Sequence, residues 1–160
     1  MALDATDIRI LCVVQKQGHL SKSRLAELVH LSPTPCWERL NKLKTAGLIR
    51  GYYANIALNL IADVTKVVVT ITLSSHRNSD FDRFESHICK LDQVIDCIAT
   101  GGGTDYIMKV VTSNLTECQN IMENLLAAEL GIERYMTYIV TREIKSSQPN
   151  LKLLANKQDC

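Results

Sequence analysis

Three observations predict an α+β fold in two parts. Capping residues and helical spacing fill residues 4 to 46, the period shortens to that of strands from Thr65, and the remainder alternates in the order β-α-β-β-α-β. The chain of 160 residues is 46% hydrophobic, enough to bury a core in each part. Its divisions are expected at 1–50 for a helix-turn-helix domain, 51–64 for a hinge strand and linker, 65–145 for a ferredoxin-like domain and 146–160 for a loose tail.

The first helix has Asp4 as its cap, Asp7 at the third position and a stripe of Ile8, Leu11 and Cys12, with Gly18 as a left-handed stop. A second, two-turn helix starts at Ser21 and buries Leu25, Leu28 and Val29. The third is prepared with more care: Ser32 caps it, Pro33 takes the first helical position and Pro35 still fits in the first turn. At 100° per residue Cys36, Leu40 and Leu43 share one side, while Thr34, Glu38, Asn41, Lys42 and Thr45 share the other. Arg39, Trp37 and Lys44 flank the buried stripe. Two short helices, the second presenting small polar, amide and basic groups outward, are what a helix-turn-helix needs to enter the major groove of double-stranded DNA. A plain amphipathic helix on a bundle would also carry a charged outer face, and periodicity alone leaves the two readings level. LIRGYYANI, with Gly51 between two apolar pieces, reads as the small hairpin of a winged helix-turn-helix.

Charge agrees with a polyanion partner for the first part. Residues 1–60 hold eight Lys/Arg against four Asp/Glu, whereas the rest hold ten against thirteen. The longest apolar runs are of strand length and no leader pattern opens the chain, so no membrane partner and a cytoplasmic location are expected. Six cysteines and four histidines show no metal-ligand spacing. Cys12, Cys36, Cys89 and Cys118 fall on or beside helical apolar stripes and Cys97 in a strand, as buried reduced thiols would. No nucleophile–base pair or paired carboxylates can be assembled, which argues against an enzyme and leaves no catalytic or metal-binding residue and no cofactor to name.

In the second part TKVVVTITL gives a strand, and Phe81, Phe84, Ile88 and Leu91 a helix. Two strands then flank GGGTDY, a further helix carries Leu115, Cys118, Met122, Leu125 and Leu126 on one side, and ERYMTYIVTREIK closes as a strand. Both helices can cover only one sheet face, so a second copy of the chain is expected on the other. GGGTDY lacks the helix and the Gly-Lys ending of a phosphate loop. It reads either as a hairpin turn needing positive φ or as a site where bare amides and the Asp105 carboxylate hold a small zwitterion.

LSPTPCWERLNKLKTAGLIRGY resembles the helix-turn-helix of the leucine-responsive/asparagine regulator (Lrp/AsnC, feast/famine) transcription factors. The likeness extends from residue 3 to about 145 through LDATDIRIL, GGGTDY and RYMTYIVTREIK. It implies a sequence-specific DNA-binding regulator of amino-acid or related metabolism, built as homodimers that assemble into tetramers or octamers. It also implies an amino-acid-like effector bound between effector domains. On matching positions the effector contacts are Gly102, Asp105 and Thr137, with Gly101, Gly103, Thr104, Tyr106 and Tyr135 beside them. The implied DNA contacts are Ser32, Thr34, Pro35, Trp37, Glu38, Asn41 and Lys42 at the groove. Lys22, Arg39 and Lys44 are placed on phosphates or in the helix scaffold.

Two departures stand out. His30 occupies a turn position where many relatives have glycine. Loop residues 101–104 are smaller than those of the leucine-responsive protein, so leucine does not follow as ligand. GGGTDY with GIERYMTYIVT is similar to the branch associated with ectoine degradation, which implies a diaminobutyrate-like effector. A ligand-independent architectural DNA-binding protein would use the same DNA residues.

Overall fold

The structure is a computed structural model and describes residues 2–155. The chain divides into two compact units, Met1–Asn55 with Lys145–Cys160, and Ile56–Ile144.

In the first unit α1 (Ala5–Lys16), α2 (Lys22–Leu28) and α3 (Pro33–Thr45) close over Ile10, Leu25, Ala26, Val29, Cys36, Leu40 and Leu43. The α3 stripe is the predicted one. On α1 the buried residues are Asp7 and Ile10, one step away from the expected Ile8, Leu11 and Cys12, which are only half-buried. The helix starts with a capping box: Asp7 N–H donates to Asp4 Oδ1 at 2.8 Å and Asp4 N–H to Asp7 Oδ2 at 3.2 Å. Gly18 does not stop α1 in a left-handed conformation, since its φ is not positive. Its need for no side chain is steric, because a Cβ there would stand 2.9 Å from Tyr52 Cδ1.

The α2–α3 turn is closed by two backbone bonds, Leu31 N–H to Ala26 O at 2.9 Å and His30 N–H to Glu27 O at 3.2 Å. That pairing requires a left-handed residue between helix and turn, and His30 takes it with φ 57°. Gly47, φ 73°, ends α3 in the same way, with Leu48 N–H on Leu43 O at 3.1 Å.

Three expectations are corrected here. Residues 49–57 form no hairpin, and no strand occurs between 51 and 64; a single 3₁₀ turn, Leu58–Leu60, does. An extended segment becomes a strand only against a ladder partner, and this chain offers it none. The segment 146–160 is not a loose tail throughout, for Leu151–Ala155 forms α6, which packs against α1 within the first unit. Asn150 starts it by accepting the Lys152 N–H at 3.1 Å, and the side-chain amide of Gln15 donates to Pro149 O at 3.1 Å. Cys89 is exposed rather than buried, as the C-cap of a helix whose stripe ends at Ile88; Cys36 and Cys118 are buried and Cys12 and Cys97 intermediate. Burial pushes the thiols of Cys36, Cys97 and Cys118 above their ordinary value. Cys160 lies outside the described residues.

The second unit is the predicted ferredoxin-like unit: β1 (Thr65–Leu73), α4 (Asn78–Ile88), β2 (Val94–Ala99), β3 (Tyr106–Thr112), α5 (Leu115–Ala127) and β4 (Ile132–Ile139). The sheet order is β2-β3-β1-β4, all antiparallel. Val67, Val69, Ile71 and Leu73 of β1 point to one face, where Phe84, Ile88, Met108, Val110, Cys118, Met122 and Leu125 complete the core. The opposite face bears Thr70 and Thr72 together with Ile98, Met136 and Tyr138, all of the latter three exposed.

Candidate DNA-binding and effector sites

The outer face of α3 is assembled as the sequence reading expected: Ser32, Thr34, Pro35, Glu38, Asn41 and Lys42 are all exposed. Ser32 stands at the cap position, yet its hydroxyl makes no capping bond. Pro35 removes one of the two N–H groups such a cap can bond, and of the first three helical positions only Thr34 keeps an N–H. The first turn therefore presents a free hydroxyl, one amide N–H and no bulk.

Arg39 is paired inside the unit, in the helix scaffold. Its Nη1 donates to Asp4 Oδ2 at 2.6 Å and Asp7 Oδ1 at 2.9 Å, tying α3 to the start of α1. The Asp7 N–H first, and Arg39 next, hold the Asp4 carboxyl below the usual carboxylate range. Trp37 and Lys44 are half-buried at the flank of the helix, and Lys22 is exposed.

In the second unit GGGTDY forms the β2–β3 turn. Thr100 N–H donates to Asp105 O at 2.8 Å and the Thr100 hydroxyl to Thr104 O at 2.6 Å, while Gly102 has φ 137°. Gly101, Gly102 and Gly103 are exposed with open space where a Cβ would stand. Two of the predicted contacts have other work. Tyr106 is 3% exposed, packs on Phe84 with ring centres 4.6 Å apart, and donates its hydroxyl to Glu85 Oε1 at 2.7 Å. Burial, then Glu85, push its pKa well up. Asp105 turns away from the loop tip: Oδ2 accepts the Leu73 N–H at 2.7 Å, and His76 Nε2 lies 3.0 Å from Oδ1.

Register separates the remaining candidates. Arg134 and Met136 lie opposite Thr72 and Thr70, on the sheet face that the helices leave open, and with Gly103, Thr104, Tyr138 and the edge of Tyr135 they line a cleft of about 260 Å³. Thr137 lies opposite Val69 on the helical face, where with Tyr135 and residues of α5 it lines a separate cleft of about 380 Å³. Arg134 is the residue that the sequence reading missed. Its guanidinium reaches Gly103 O at 3.5 Å, and the only signal for it was the alternation of ERYMTYI, which puts Arg134 in phase with Met136 and out of phase with Thr137.

A winged helix-turn-helix DNA-binding family model matches residues 3–50, and the Lrp/AsnC ligand binding domain model matches residues 66–150. The chain belongs to the Lrp/AsnC family. It is 38% identical over 153 residues to the transcriptional regulatory protein DoeX of Halomonas elongata, covering 96% of this chain and 97% of that protein. It is 34% identical over 146 residues to the leucine-responsive regulatory protein of Haemophilus influenzae, with 91% and 88% covered. Among solved structures it resembles a transcriptional regulator of Neisseria meningitidis in complex with L-Met, at a TM-score of 0.88 and 28% identity over 96% of this chain and 99% of that one. An AsnC family regulator of Agrobacterium tumefaciens is similar at a TM-score of 0.87 and 25% identity, with 95% and 99% covered. This Lrp/AsnC chain is thus a DNA-binding transcriptional regulator with a ligand-binding domain, and not an enzyme. No helix among the described residues is long and apolar enough to cross a membrane, and no cluster of three or more His, Cys, Asp or Glu side chains among them could hold a metal ion.

Proposed function

We propose that this regulator controls amino-acid or related metabolism in the cytoplasm, and that an amino-acid-like or diaminobutyrate-like effector modulates it. The observation that carries the reading is the cleft beside the glycine turn, where the Arg134 guanidinium converges with Gly103 and Thr104 on an open sheet face. Arg134 meets the effector carboxylate in a two-pronged pairing, and the Gly103 carbonyl with the hydroxyls of Thr70 and Thr72 accepts from its ammonium. Gly101 and Gly102 leave the mouth of the cleft unobstructed. Thr137 belongs to the second cleft and adjusts its α5 wall, whereas Tyr135 borders both clefts.

On DNA, the first turn of α3 enters the major groove with Ser32, Thr34 and Pro35 leading, and Glu38, Asn41 and Lys42 meet base edges or adjacent phosphates. The exposed Ile98, Met136 and Tyr138 support self-association through the open sheet face, as a homodimer and then as tetramers or octamers of such dimers. An effector seated there shifts the equilibrium between arrangements, and with it the spacing of the α3 helices along DNA.

The test is a thermal-shift screen of the full chain against amino acids, diaminobutyrate and ectoine derivatives, repeated with Arg134→Ala. A selective shift lost in Arg134→Ala, with DNA affinity kept, is expected. A shift that survives Arg134→Ala would move the effector out of this cleft. No shift with any compound would favour a ligand-independent architectural protein.

A further inference from the structure

Around Trp37 the DNA-binding unit gathers two cations onto one ring. Lys22 Nζ lies 4.0 Å from the ring centre and Lys44 Nζ 5.4 Å from it, while Lys44 also stands 5.3 Å from the Tyr52 ring. Three separate segments build this cluster: Lys22 opens α2, Trp37 and Lys44 are two turns apart on α3, and Tyr52 follows α3. Tyr52 is seated over Gly18, whose lack of a side chain allows the approach. The indole is half-buried against the helical core, so its position is set by packing.

Such a convergence is unfavourable by itself. An aromatic face attracts each ammonium but carries no net charge, and the two ammonium groups repel. No ion pair among the described residues involves Lys22 or Lys44. The cluster lacks an anion, and it sits at the flank of a helix whose outer face already carries Thr34, Asn41 and Lys42.

We infer that Trp37 is a positioning residue: its ring holds Lys22 and Lys44 as a two-lysine clamp for DNA backbone phosphates, and the indole does not read bases. A free lysine has a long flexible stem and must be ordered when it meets a phosphate; held over the ring beforehand, it has less freedom left to lose. The clamp rests on α3 being the helix that faces DNA.

The experiment is the salt dependence of binding of the full chain to a long duplex of mixed sequence, which reads phosphate contacts without knowledge of the operator. The log of affinity falls against the log of salt by about 0.9 for each phosphate neutralised. Lys22→Ala and Lys44→Ala are each expected to reduce that slope by about 0.9 per DNA-binding unit. Trp37→Leu removes no charge yet should flatten the slope, Trp37→Phe should keep it, and Trp37→Leu added to the double lysine variant should change it no further. Trp37→Met, flexible enough to repack, replaces Trp37→Leu if the latter does not fold.

A ring-less variant that weakens binding by one factor at every salt concentration, with the slope unchanged, makes Trp37 a packing residue and overturns the clamp. Unchanged slopes in both lysine variants, with a reduced slope in Lys42→Ala, overturn the clamp while keeping α3 on the DNA. Unchanged slopes in all three remove α3 from the DNA and overturn both readings.

Discussion

Asp105 Oδ2 accepts the Leu73 backbone N–H at 2.7 Å, fastening the end of β1 to the β2–β3 turn. The side chain is 18% exposed, so the bond is largely shielded from water. Asp105→Ala leaves the Leu73 N–H without its acceptor and should destabilise the ligand-binding unit by about 1–3 kcal/mol. Asp105→Asn keeps an acceptor and should lose less. Urea melts of both variants check the order; a fully stable Asp105→Ala chain would refute a structural role for the carboxylate.

Acid should loosen the first unit through Asp4. Its carboxyl is held below the ordinary value in the folded chain, so the stability it contributes is full above its unfolded value and is lost as pH falls through the folded one. The thermal midpoint should drop below about pH 4, and Asp4→Asn should flatten that drop. Melts across the acid range, followed by the helical signal, measure it.

His30 holds a left-handed backbone that costs a side chain of its type about 1–2 kcal/mol. Glycine adopts the same angles without that strain but with more freedom to lose on folding. His30→Gly should therefore stabilise the unit by up to about 1 kcal/mol, read as an upward shift in a denaturant midpoint. A loss of stability would mean that the imidazole makes a contribution exceeding the backbone strain.

Tyr106→Phe separates core from effector site. The hydroxyl is committed to Glu85 inside the unit, so its removal should cost about 0.5–1.5 kcal/mol and leave any effector response intact. Phe84→Ala, which empties a fully buried position beneath Tyr106, should cost about 3–5 kcal/mol. A Tyr106→Phe chain of normal stability that no longer answers the effector would return Tyr106 to the ligand's side.

Much of this architecture is written in local periodicity. Cys36, Leu40 and Leu43, or Val67 through Leu73, follow their periods closely enough to fix helix face and strand phase. Ile10 was missed because the acid beside it on the same face, Asp7, is buried, and a buried carboxylate breaks a pattern read by hydrophobicity alone. The effector residues were only partly legible for a different reason. GGGTDY shows where a turn must be, but whether Asp105 points to a ligand or back to Leu73 depends on a backbone N–H 32 positions away. Thr137 and Arg134 were divided by pairing with β1, which a reading of ERYMTYI alone cannot supply. The strand expected in 51–64 is missing because no ladder partner within the chain reaches that segment, which its own residues do not reveal.

The connectivity has a practical meaning for building chimaeras. Because Lys145–Cys160 belongs with Met1–Asn55, the ligand-binding unit is an insertion within the DNA-binding one, with two seams instead of one. Its entry and exit strands are neighbours, Val67 facing Ile139, so both seams open at the same end of the sheet. A transplant that exchanges residues 56–144 between relatives keeps the host's α1–α6 contact, whereas one that swaps everything after residue 55 replaces α6 with a stranger's and leaves the flank of α1 to a helix it did not evolve beside.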